Sequence, residues 1–505
     1  MKITKIAAAL SLIGASIPAF ATNGMNMEGY GPVATGMGGA SFAYDNGNAG
    51  MINNPATLGF MKSGTSRLDL AIGGLHPSVS SNGKDSSADA FFMPAFGYVR
   101  KDGNLSWGAG MMAQGGMGTD YSNGSFLGTT ATSSPFAATG FAAGQGALAL
   151  AQGQSLQNMS EVGVGRVIFP LAYQVNDQFN LGGSIDYVWA GMDIKWLVDG
   201  AHFQDMMPGS ANRFGRVSGS FITNGLMPNI GVMFDQFAYG YFDFANTNKF
   251  SQKAKGDGWA ANLGFTYKVS PQLTVGGIYH AKTRLSDMET GSQDASMTLS
   301  FNDMLNLMGG GANSAAALPV KGKIVVRNFQ WPETYGFGFA YTANDKWSFA
   351  ADYKRINWAS VMKSFRMSFI AGGNGGVAGG FNGMQMDMDY FQNWKNQNVF
   401  MFGAEYKYSD ALAVRVGANL ANNPVPNEYM TALFPAIVKN HLTFGAAYKL
   451  DKAASVDFSL THAPKVSATN SAAAIGTPAG AVGAVSNQSV SHSQTNWQLM
   501  YGYRF

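Results

Sequence analysis

Polar and apolar residues alternate along most of this chain with the period of two that marks a β-strand. The final segment shows the alternation most clearly, with apolar or aromatic side chains on one face at Trp497, Leu499, Tyr501, Tyr503 and Phe505. The positions between them carry Gln, Met, Gly and Arg. One face of such a strand suits lipid and the other suits water, which predicts a transmembrane β-barrel.

Short connections rich in turn-forming residues join neighbouring alternating runs into hairpins. They lie at 101–104, 176–177, 270–271, 343–345, 409–410 and 451–452. Six hairpins with a strand left over at each end predict a 14-stranded antiparallel barrel. The predicted ranges are 64–80, 88–101, 104–115, 161–175, 178–193, 258–269, 272–288, 322–342, 346–361, 396–408, 411–421, 438–450, 453–463 and 491–505. Both ends fall on the short-turn side, so the long connections are predicted to be extracellular.

The first 21 residues have the features of a secretory signal peptide, with Lys2 and Lys5 before an apolar stretch and a small-x-small site ending at Ala21. Without this segment, no run of about 18 apolar residues remains to form a membrane helix. A spanning protein must then be a closed barrel. Residues 22–62 are rich in glycine and contain no predicted strand, so we expect a plug, or hatch, inside a barrel formed by residues 63–505.

Composition excludes several other functions. The chain has no cysteine, which excludes disulfides and thiolate metal sites, and no His pattern indicates a metal or cofactor site. The net charge is only +3, so nothing suggests a nucleic-acid partner. Charged residues make up 12%, about half of the share in a soluble domain.

Two of the long connections are unusually apolar for loops in water. The third, at about 194–257, contains Phe203, Met206, Met207 and Phe234, and the fourth contains Phe301, Met304 and Leu305. The spacing from Phe301 to Leu305 is helical. Exposed apolar patches usually mark binding sites, so these residues are candidates for capturing an apolar ligand. The alternative is that they pack the loops against each other over the barrel mouth.

Strand alternation also predicts which charged side chains point into the lumen. The candidates for binding a carboxylate are Lys282, Arg284, Lys354 and Arg415, because a desolvated carboxylate needs a cationic partner. The alternative is that these cations hold the plug or pair across strands. If no cation lines the pocket, a neutral hydrocarbon becomes the favoured ligand.

Four short motifs carry a resemblance to a known family. They are Asn54-Pro55-Ala56 after a glycine-rich segment, Met93-Pro94-Ala95-Phe96-Gly97-Tyr98, Asp352-Tyr353-Lys354-Arg355-Ile356-Asn357-Trp358 and Phe434-Pro435-Ala436-Ile437-Val438-Lys439-Asn440-His441. With these motifs the mature chain resembles the FadL/TodX-type outer-membrane transporters of long-chain fatty acids and hydrocarbons.

The resemblance implies capture by extracellular loops, a lumenal binding pocket, an N-terminal hatch and lateral exit through a gap at a kinked third strand. Candidates for the kink are Gly108, Gly110, Gly115 and Gly116, because glycine inside a strand commonly marks a bulge or bend. Such transport needs no cofactor. The expected partners are hydrophobic small molecules, outer-membrane lipids and lipopolysaccharide, and lateral exit favours a monomer.

An aromatic C-terminal residue is what the barrel assembly machinery of Gram-negative bacteria typically receives, so the expected location is their outer membrane. An enzyme is not expected, because the chain contains no Gly-x-Ser-x-Gly elbow and no convincing catalytic constellation. The remaining alternative is a structural barrel or adhesin without transport activity. Such a protein would have polar, exposed loops and no plug.

Overall fold

The computed structural model describes residues 23–121, 157–229, 237–246, 251–301, 316–470 and 488–505. The predicted signal peptide lies outside these ranges. The strands are β1 Thr65–Ser81, β2 Lys84–Asp85, β3 Phe91–Asp102, β4 Leu105–Tyr121, β5 Asn158–Gln174, β6 Phe179–Asp199, β7 Gly215–Ser218, β8 Phe237–Asp243, β9 Ala254–Lys268, β10 Leu273–His280, β11 Arg284–Leu285, β12 Met288–Glu289, β13 Ala295–Phe301, β14 Ala316–Arg327, β15 Thr334–Thr342, β16 Trp347–Ile356, β17 Ser364–Ala371, β18 Gln385–Phe391, β19 Gln397–Lys407, β20 Leu412–Ala421, β21 His441–Lys449, β22 Ala454–Asn470 and β23 Gln488–Arg504.

Helical segments are short. The α-helices are α1 Pro32–Gly36, α2 Gly50–Asn53 and α3 Gly200–Asp205. Single 3-10 turns occur at Gly47–Ala49, Pro55–Phe60, Met227–Asn229, Trp358–Ser360, Gly376–Phe381 and Asn427–Tyr429, and a π-helical turn occurs at Phe221–Leu226. Within the described ranges, no helix is both long enough and apolar enough to cross a membrane.

The strands form one antiparallel sheet that closes on itself. β1 pairs with β3 on one side and with β23 on the other, so that Leu70 lies opposite both Phe96 and Tyr501. An unbroken series of antiparallel pairings leads from β3 round to β23. The architecture is therefore a closed all-β barrel.

As a count of the whole sheet the prediction of 14 strands is wrong, because the described residues form 23 strands. The closed ring itself passes through fourteen of them, namely β1, β3, β4, β5, β6, β9, β10, β15, β16, β19, β20, β21, β22 and β23. The predicted strand at 322–342 is in fact two strands, β14 and β15, and several connections predicted to be loops contain strands of their own. These segments alternate too: in β17, Phe365, Met367 and Phe369 are buried while Arg366 is exposed. β17 and β18 pair with each other, but their outer edges pair with β14 and β7, which lie in other connections, and no short turn could reveal those pairings.

Polarity across the wall is the reverse of that in a soluble protein. Ile185 and Leu263 are each 61% exposed on the outer face. On the inner face, Arg166, Asp186 and Asp352 are buried. Apolar side chains outside and polar side chains inside are stable when lipid surrounds the barrel.

The N-terminal segment, residues 23–62, contacts strands on several sides of the barrel. Its backbone donates from Asn48 to Asp69 of β1 at 2.8 Å and from Ser41 to Asp352 of β16 at 2.6 Å. On another side, Asn419 of β20 donates to the Gly38 carbonyl at 3.2 Å. Contacts with strands from several sides of a closed sheet place this segment in the lumen.

Asn54 fixes the segment to the wall. Its carboxamide Oδ1 accepts from the Ala56 amide at 3.1 Å and so caps the turn that begins at Pro55. Its Nδ2 donates to the carbonyls of Phe42 at 2.7 Å and Phe265 of β9 at 3.1 Å. The Asn-Pro-Ala motif therefore joins two parts of the N-terminal segment to one strand.

Close packing against the wall also requires glycine. Gly38 has a positive φ of 70°, and a Cβ there would lie 2.5 Å from the Phe402 carbonyl oxygen. Gly64 has a similar φ of 78° but open space around it. Comparing the two positions separates backbone strain from steric contact.

We expect Gly38→Ala to destabilise docking of the N-terminal segment by about 1–3 kcal/mol more than the matched control Gly64→Ala. Both variants strain a left-handed backbone, but only Gly38→Ala forces the segment away from β19 and β20. Proteinase K cleavage within residues 23–62, followed by mass spectrometry, measures the difference. Equal cleavage of the two variants would contradict the steric argument.

Candidate transport pathway

The wall contains a gap between β3 and β4. Their pairing runs from Asp102 opposite Leu105 to Phe96 opposite Met111 and stops there. β4 continues beyond that point and stays paired with β5 as far as Tyr121. The gap ends where the Ser87 amide donates to the Asp120 carbonyl at 2.8 Å. We call this stretch without ladder pairing the wall gap; it lies between residues 88–95, which include the start of β3, and residues 112–119 of β4.

β4 is irregular beside the wall gap. Its register with β5 shifts between Ala113 and Gly115, and Gly115 has a φ of 159°. The other proposed kink glycines are placed differently: Gly116 follows the shift directly, whereas Gly108 and Gly110 lie in the part that pairs with β3. The bend is therefore concentrated at one end of the predicted glycine series.

The N-terminal segment contacts the free edge of β4. Asn26 forms a bridge with Gly115, and the Gly116 amide donates to the Met25 carbonyl at 3.2 Å. The Asn26 side chain is fixed in turn by Trp331, whose Nε1 donates to Oδ1 at 2.5 Å. The segment thus supplies hydrogen bonds that β3 does not supply at this point.

Three buried tryptophans cover this contact, and two of them were not singled out from the sequence. Trp331 and Trp358 pack edge to face at 5.6 Å between ring centroids, and Trp358 and Trp394 at 5.3 Å. A Cβ on Gly24 would lie 2.8 Å from Trp358 Nε1. The three tryptophans come from separate connections, so no spacing in the sequence indicated the cluster.

An apolar pocket lies directly behind the wall. Its volume is about 50 Å³, and methionine side chains provide much of its surface. The lining includes Met27, Met93, Ala95, Met112 and Met500. Because Met side chains are unbranched and adaptable, this small pocket can enlarge around an apolar guest without rebuilding the wall.

Two of the predicted lumenal cations are on the outside. Lys282 and Arg284 are exposed, whereas Thr283 and Leu285 are buried. The prediction that they point into the lumen is wrong because the strand is interrupted after His280, and a slip of one residue exchanges the two faces. In this interruption the Thr283 amide donates to the Trp331 carbonyl at 3.1 Å.

The other two predicted cations face the lumen. Arg415 is buried and already paired, with Nε 2.8 Å from Glu405 and Nη1 2.9 Å from Asp457. Lys354 lies beside Glu28 in a polar chamber of about 30 Å³ that also includes Arg166 and His280. Among the described residues, no carboxylate lies within ion-pair distance of the Lys354 amine.

Glu28 is the most unusual charge in the N-terminal segment. It is 1% exposed, and neither carboxylate oxygen makes a hydrogen bond of normal geometry, although Thr461 and Asn496 face it. Burial raises the pKa of the Glu28 carboxyl above its ordinary value, while Lys354 acts in the opposite direction. Keeping Glu28 ionised therefore opposes docking of the segment.

The apolar loop residues have mixed placements. Phe203, Met206 and Met207 are buried at or just after α3, in the same apolar cluster as Phe221 and Met367. Phe301 lies in β13 rather than in a helix. Phe234, Met304 and Leu305 lie outside the described residues. Phe203, Met206 and Met207 thus pack connections together in this conformation. No group of three His, Asp or Glu in the described part of the chain is arranged to hold a metal ion.

A closed barrel with a lipid-facing exterior, a filled lumen and a gap in its wall defines a membrane-spanning β-barrel of the channel class. Residues 9–496 match the family described as outer membrane protein transport protein (OMPP1/FadL/TodX). The chain belongs to this family and is an outer-membrane β-barrel. The family consists of transport proteins rather than enzymes.

Solved structures of two relatives share the fold over nearly the whole chain. The toluene transporter TbuX of Ralstonia pickettii is 29% identical, with a TM-score of 0.69, over 95% of this chain and 99% of that one. The toluene transporter TodX of P. putida is 25% identical, with a TM-score of 0.72, over the same shares.

A shorter match comes from Chlorobium limicola. That protein, described as an uncharacterized protein in the phosphoenolpyruvate carboxykinase gene 5' region, is 51% identical over 113 residues. The match covers 21% of this chain and 54% of that protein. The chain thus spans about half the length of this curated relative.

We expect Glu28→Gln to stabilise docking of the N-terminal segment at neutral pH by about 1–3 kcal/mol. The amide keeps the shape of the side chain and removes a buried charge that makes no hydrogen bond of normal geometry. Since the pKa of Glu28 is raised in the folded state, docking is strongest below the ordinary value of 4.5 and weakens as pH rises through the raised value. Proteinase K protection of residues 23–62 at pH 5 and pH 8 measures this effect.

Glu405→Gln is the contrasting control, since Glu405 is ion-paired with Arg415. Its loss should weaken rather than strengthen the lumenal contacts. Protection of Glu28→Gln that falls with pH as steeply as in the unaltered protein would contradict the assignment.

Proposed function

We propose that the protein carries neutral hydrophobic molecules, of the size of monoaromatic hydrocarbons, across the outer membrane of a Gram-negative bacterium. The observation that carries this proposal is the wall gap with a Met-lined apolar pocket directly behind it. A solute in this pocket is separated from lipid by a stretch of wall that lacks ladder pairing. Release is lateral, into the bilayer, rather than straight through the lumen.

Transport by this route needs no energy source in the protein. Transfer of apolar surface from water to an apolar site is favourable by about 25 cal/mol per Å². Lateral release takes the solute past the polar outer surface of the membrane, and consumption inside the cell maintains the gradient. Working as a monomer keeps lipid in contact with β4.

Residues 22–62, after removal of a signal peptide at 1–21, act as the hatch in this proposal. The support is the contact between Met25, Asn26 and the edge of β4 at Gly115 and Gly116. Any movement of the segment that breaks these bonds changes the wall gap. Binding of a solute next to Met27 and Tyr30, which belong to both the segment and the pocket, supplies a reason to move.

Lumenal charge favours a neutral substrate over a fatty acid. Arg415 is neutralised by two carboxylates, and Lys354 lies near the buried Glu28, which would repel an entering carboxylate. Lys282 and Arg284 face outwards. Both TbuX and TodX are described as toluene transporters, which supports the same substrate class here.

Capture starts at the extracellular connections. The cluster that includes Phe203, Met206 and Met207 offers an apolar and adaptable surface once its packing opens. Phe234, Phe301, Met304 and Leu305 remain candidates for the same surface.

The test is uptake of radiolabelled toluene and of oleate in cells that have this protein as their only transporter of the class. We expect toluene to enter at least fivefold faster than in cells without the protein and oleate to show no gain. Ala95→Trp should remove most of the toluene gain, because the indole fills the pocket behind the wall gap.

Leu171→Trp is the matched control, since it adds the same side chain on the lipid face of β5, where Leu171 is 55% exposed. The heat-dependent gel mobility of both variants reports whether the barrel has folded. Oleate uptake without toluene uptake would show that the substrates are fatty acids rather than neutral hydrocarbons. If neither compound enters faster with a folded protein, transport is wrong and a structural barrel or adhesin takes its place.

A further inference from the structure

Four strands on the side of the long connections form a small sheet whose order is β14, β17, β18 and β7. One row of directly opposed residues crosses all four strands. It consists of Arg327, Arg366, Asp389 and Arg216. Three guanidinium groups and one carboxylate therefore lie side by side on one face.

The two faces of this sheet differ sharply. The neighbouring row, Val326, Met367, Met388 and Val217, is buried in the apolar cluster beneath the sheet. The charged row points the other way, and Arg216 and Arg366 are exposed. Since alternation fixes the charged side chains away from the apolar cluster, the row is not part of the packing that holds the connections together.

The charges of the row are incompletely paired. Arg366 Nε lies 3.5 Å from Asp389, and Arg327 Nη1 lies 3.2 Å from Asp287. Arg216 makes no ion pair with any described residue and packs over the Phe391 ring at 5.8 Å. Arg327 and Arg366 lie directly opposite each other, an unfavourable arrangement of like charges that Asp287 and Asp389 offset in part. Arg327 Nε also donates to Ser368 Oγ at 2.7 Å, so Arg216 and Arg366 are the guanidinium groups with the fewest partners.

A groove of about 450 Å³ follows the row. Its lining includes all four residues of the row together with Ser368 and Asp387. Asp387 accepts from Ser368 Oγ at 2.5 Å and from Gln385 Nε2 at 2.7 Å. The groove thus combines three guanidinium groups and two carboxylates with apolar lining from Met206, Pro208, Val217, Met367 and Met388, and the charged groups suit a ligand that carries polar groups of its own.

We propose that this groove binds a phosphorylated sugar of the outer-leaflet lipopolysaccharide. Arg216 and Arg366 hold the phosphate, because guanidinium groups match phosphate oxygens in pairs. The carboxylates of Asp387 and Asp389 accept hydrogen bonds from neighbouring sugar hydroxyls. A ligand with both groups fits the row better than a bare anion, which the two carboxylates would repel.

Location decides between a lipid-borne and a free phosphate. The groove lies on connections at the end of the barrel opposite the short turns, which in outer-membrane barrels is the extracellular end. The leaflet there carries phosphate groups in fixed positions at high local concentration. The proposal does not depend on the transported molecule and remains valid if the substrate differs.

The experiment measures binding of rough lipopolysaccharide to the purified full-length protein in detergent by native mass spectrometry. We expect the double variant Arg216→Ala/Arg366→Ala to bind at least tenfold more weakly. Asp389→Asn keeps one acceptor oxygen for the sugar hydroxyl and removes a negative charge that repels the phosphate, so it should bind at least as tightly as the unaltered protein. Lys465→Ala, which removes one exposed cation on β22 away from the groove, should change binding less than twofold.

Parallel titrations use the same lipopolysaccharide after removal of its phosphates, glucose 1-phosphate and inorganic phosphate. If the double variant and the unaltered protein bind the dephosphorylated lipid equally well, the result supports the proposal. If inorganic phosphate binds as tightly as lipopolysaccharide, the claim that the ligand is a lipid-borne phosphate is wrong. Equal binding of lipopolysaccharide by the double variant and Lys465→Ala overturns the site, and heat-dependent gel mobility shows that each variant has folded.

Discussion

Lipid offers no hydrogen-bond partner to a backbone amide or carbonyl, and this constraint shapes the whole molecule. It requires the sheet to close, which happens where β1 pairs with both β3 and β23. The same constraint applies to the stretch of β4 that does not pair with β3. There the backbone groups need another source of bonds, and Met25 and Asn26 of the N-terminal segment provide it. The lumenal segment and the wall gap are therefore parts of the same structure.

Docking of that segment combines strong and weak elements. Asn48 and Asn54 of the segment donate to the carbonyls of Gly97 and Phe265 in the wall, and Asp352 of the wall accepts from the segment's Ser41 amide. Gly38 lets the segment approach the wall closely. Glu28 acts in the other direction, because neither oxygen of its buried carboxylate makes a hydrogen bond of normal geometry. A segment held by many good contacts and opposed by one buried charge is stable in place and still able to move. This balance suits a hatch, and it connects the proposed mechanism to particular atoms.

Charged residues in the lumen distinguish a neutral hydrocarbon from a carboxylate more clearly than the apolar residues do. Apolar side chains such as Met27 and Met112 accept a hydrocarbon chain or an aromatic ring equally well. A carboxylate would need an unpaired cation, and the lumenal Arg415 and Lys354 are respectively paired and close to Glu28. Cations that are incompletely paired are also found outside the lumen, on the neighbouring strands β14, β17, β18 and β7. The proposed transport route and the proposed binding site for a polar surface ligand are thus spatially separate.

The sequence by itself determined the membrane barrel, because strand alternation is a local property that one segment such as 497–505 already displays. It also indicated the lumenal N-terminal segment and the glycines beside the bend at Gly115, since both depend on local composition. Tertiary structure alone decided the number of strands in the whole sheet, because β17 and β18 bond to β14 and β7 across long distances in the chain. It also decided the direction of Lys282 and Arg284, since the interruption after His280 is stabilised by a bond from Thr283 to Trp331 that no local pattern shows. The tryptophan cluster and the charged row across four strands arise in the same way, from residues that only the folded chain brings together.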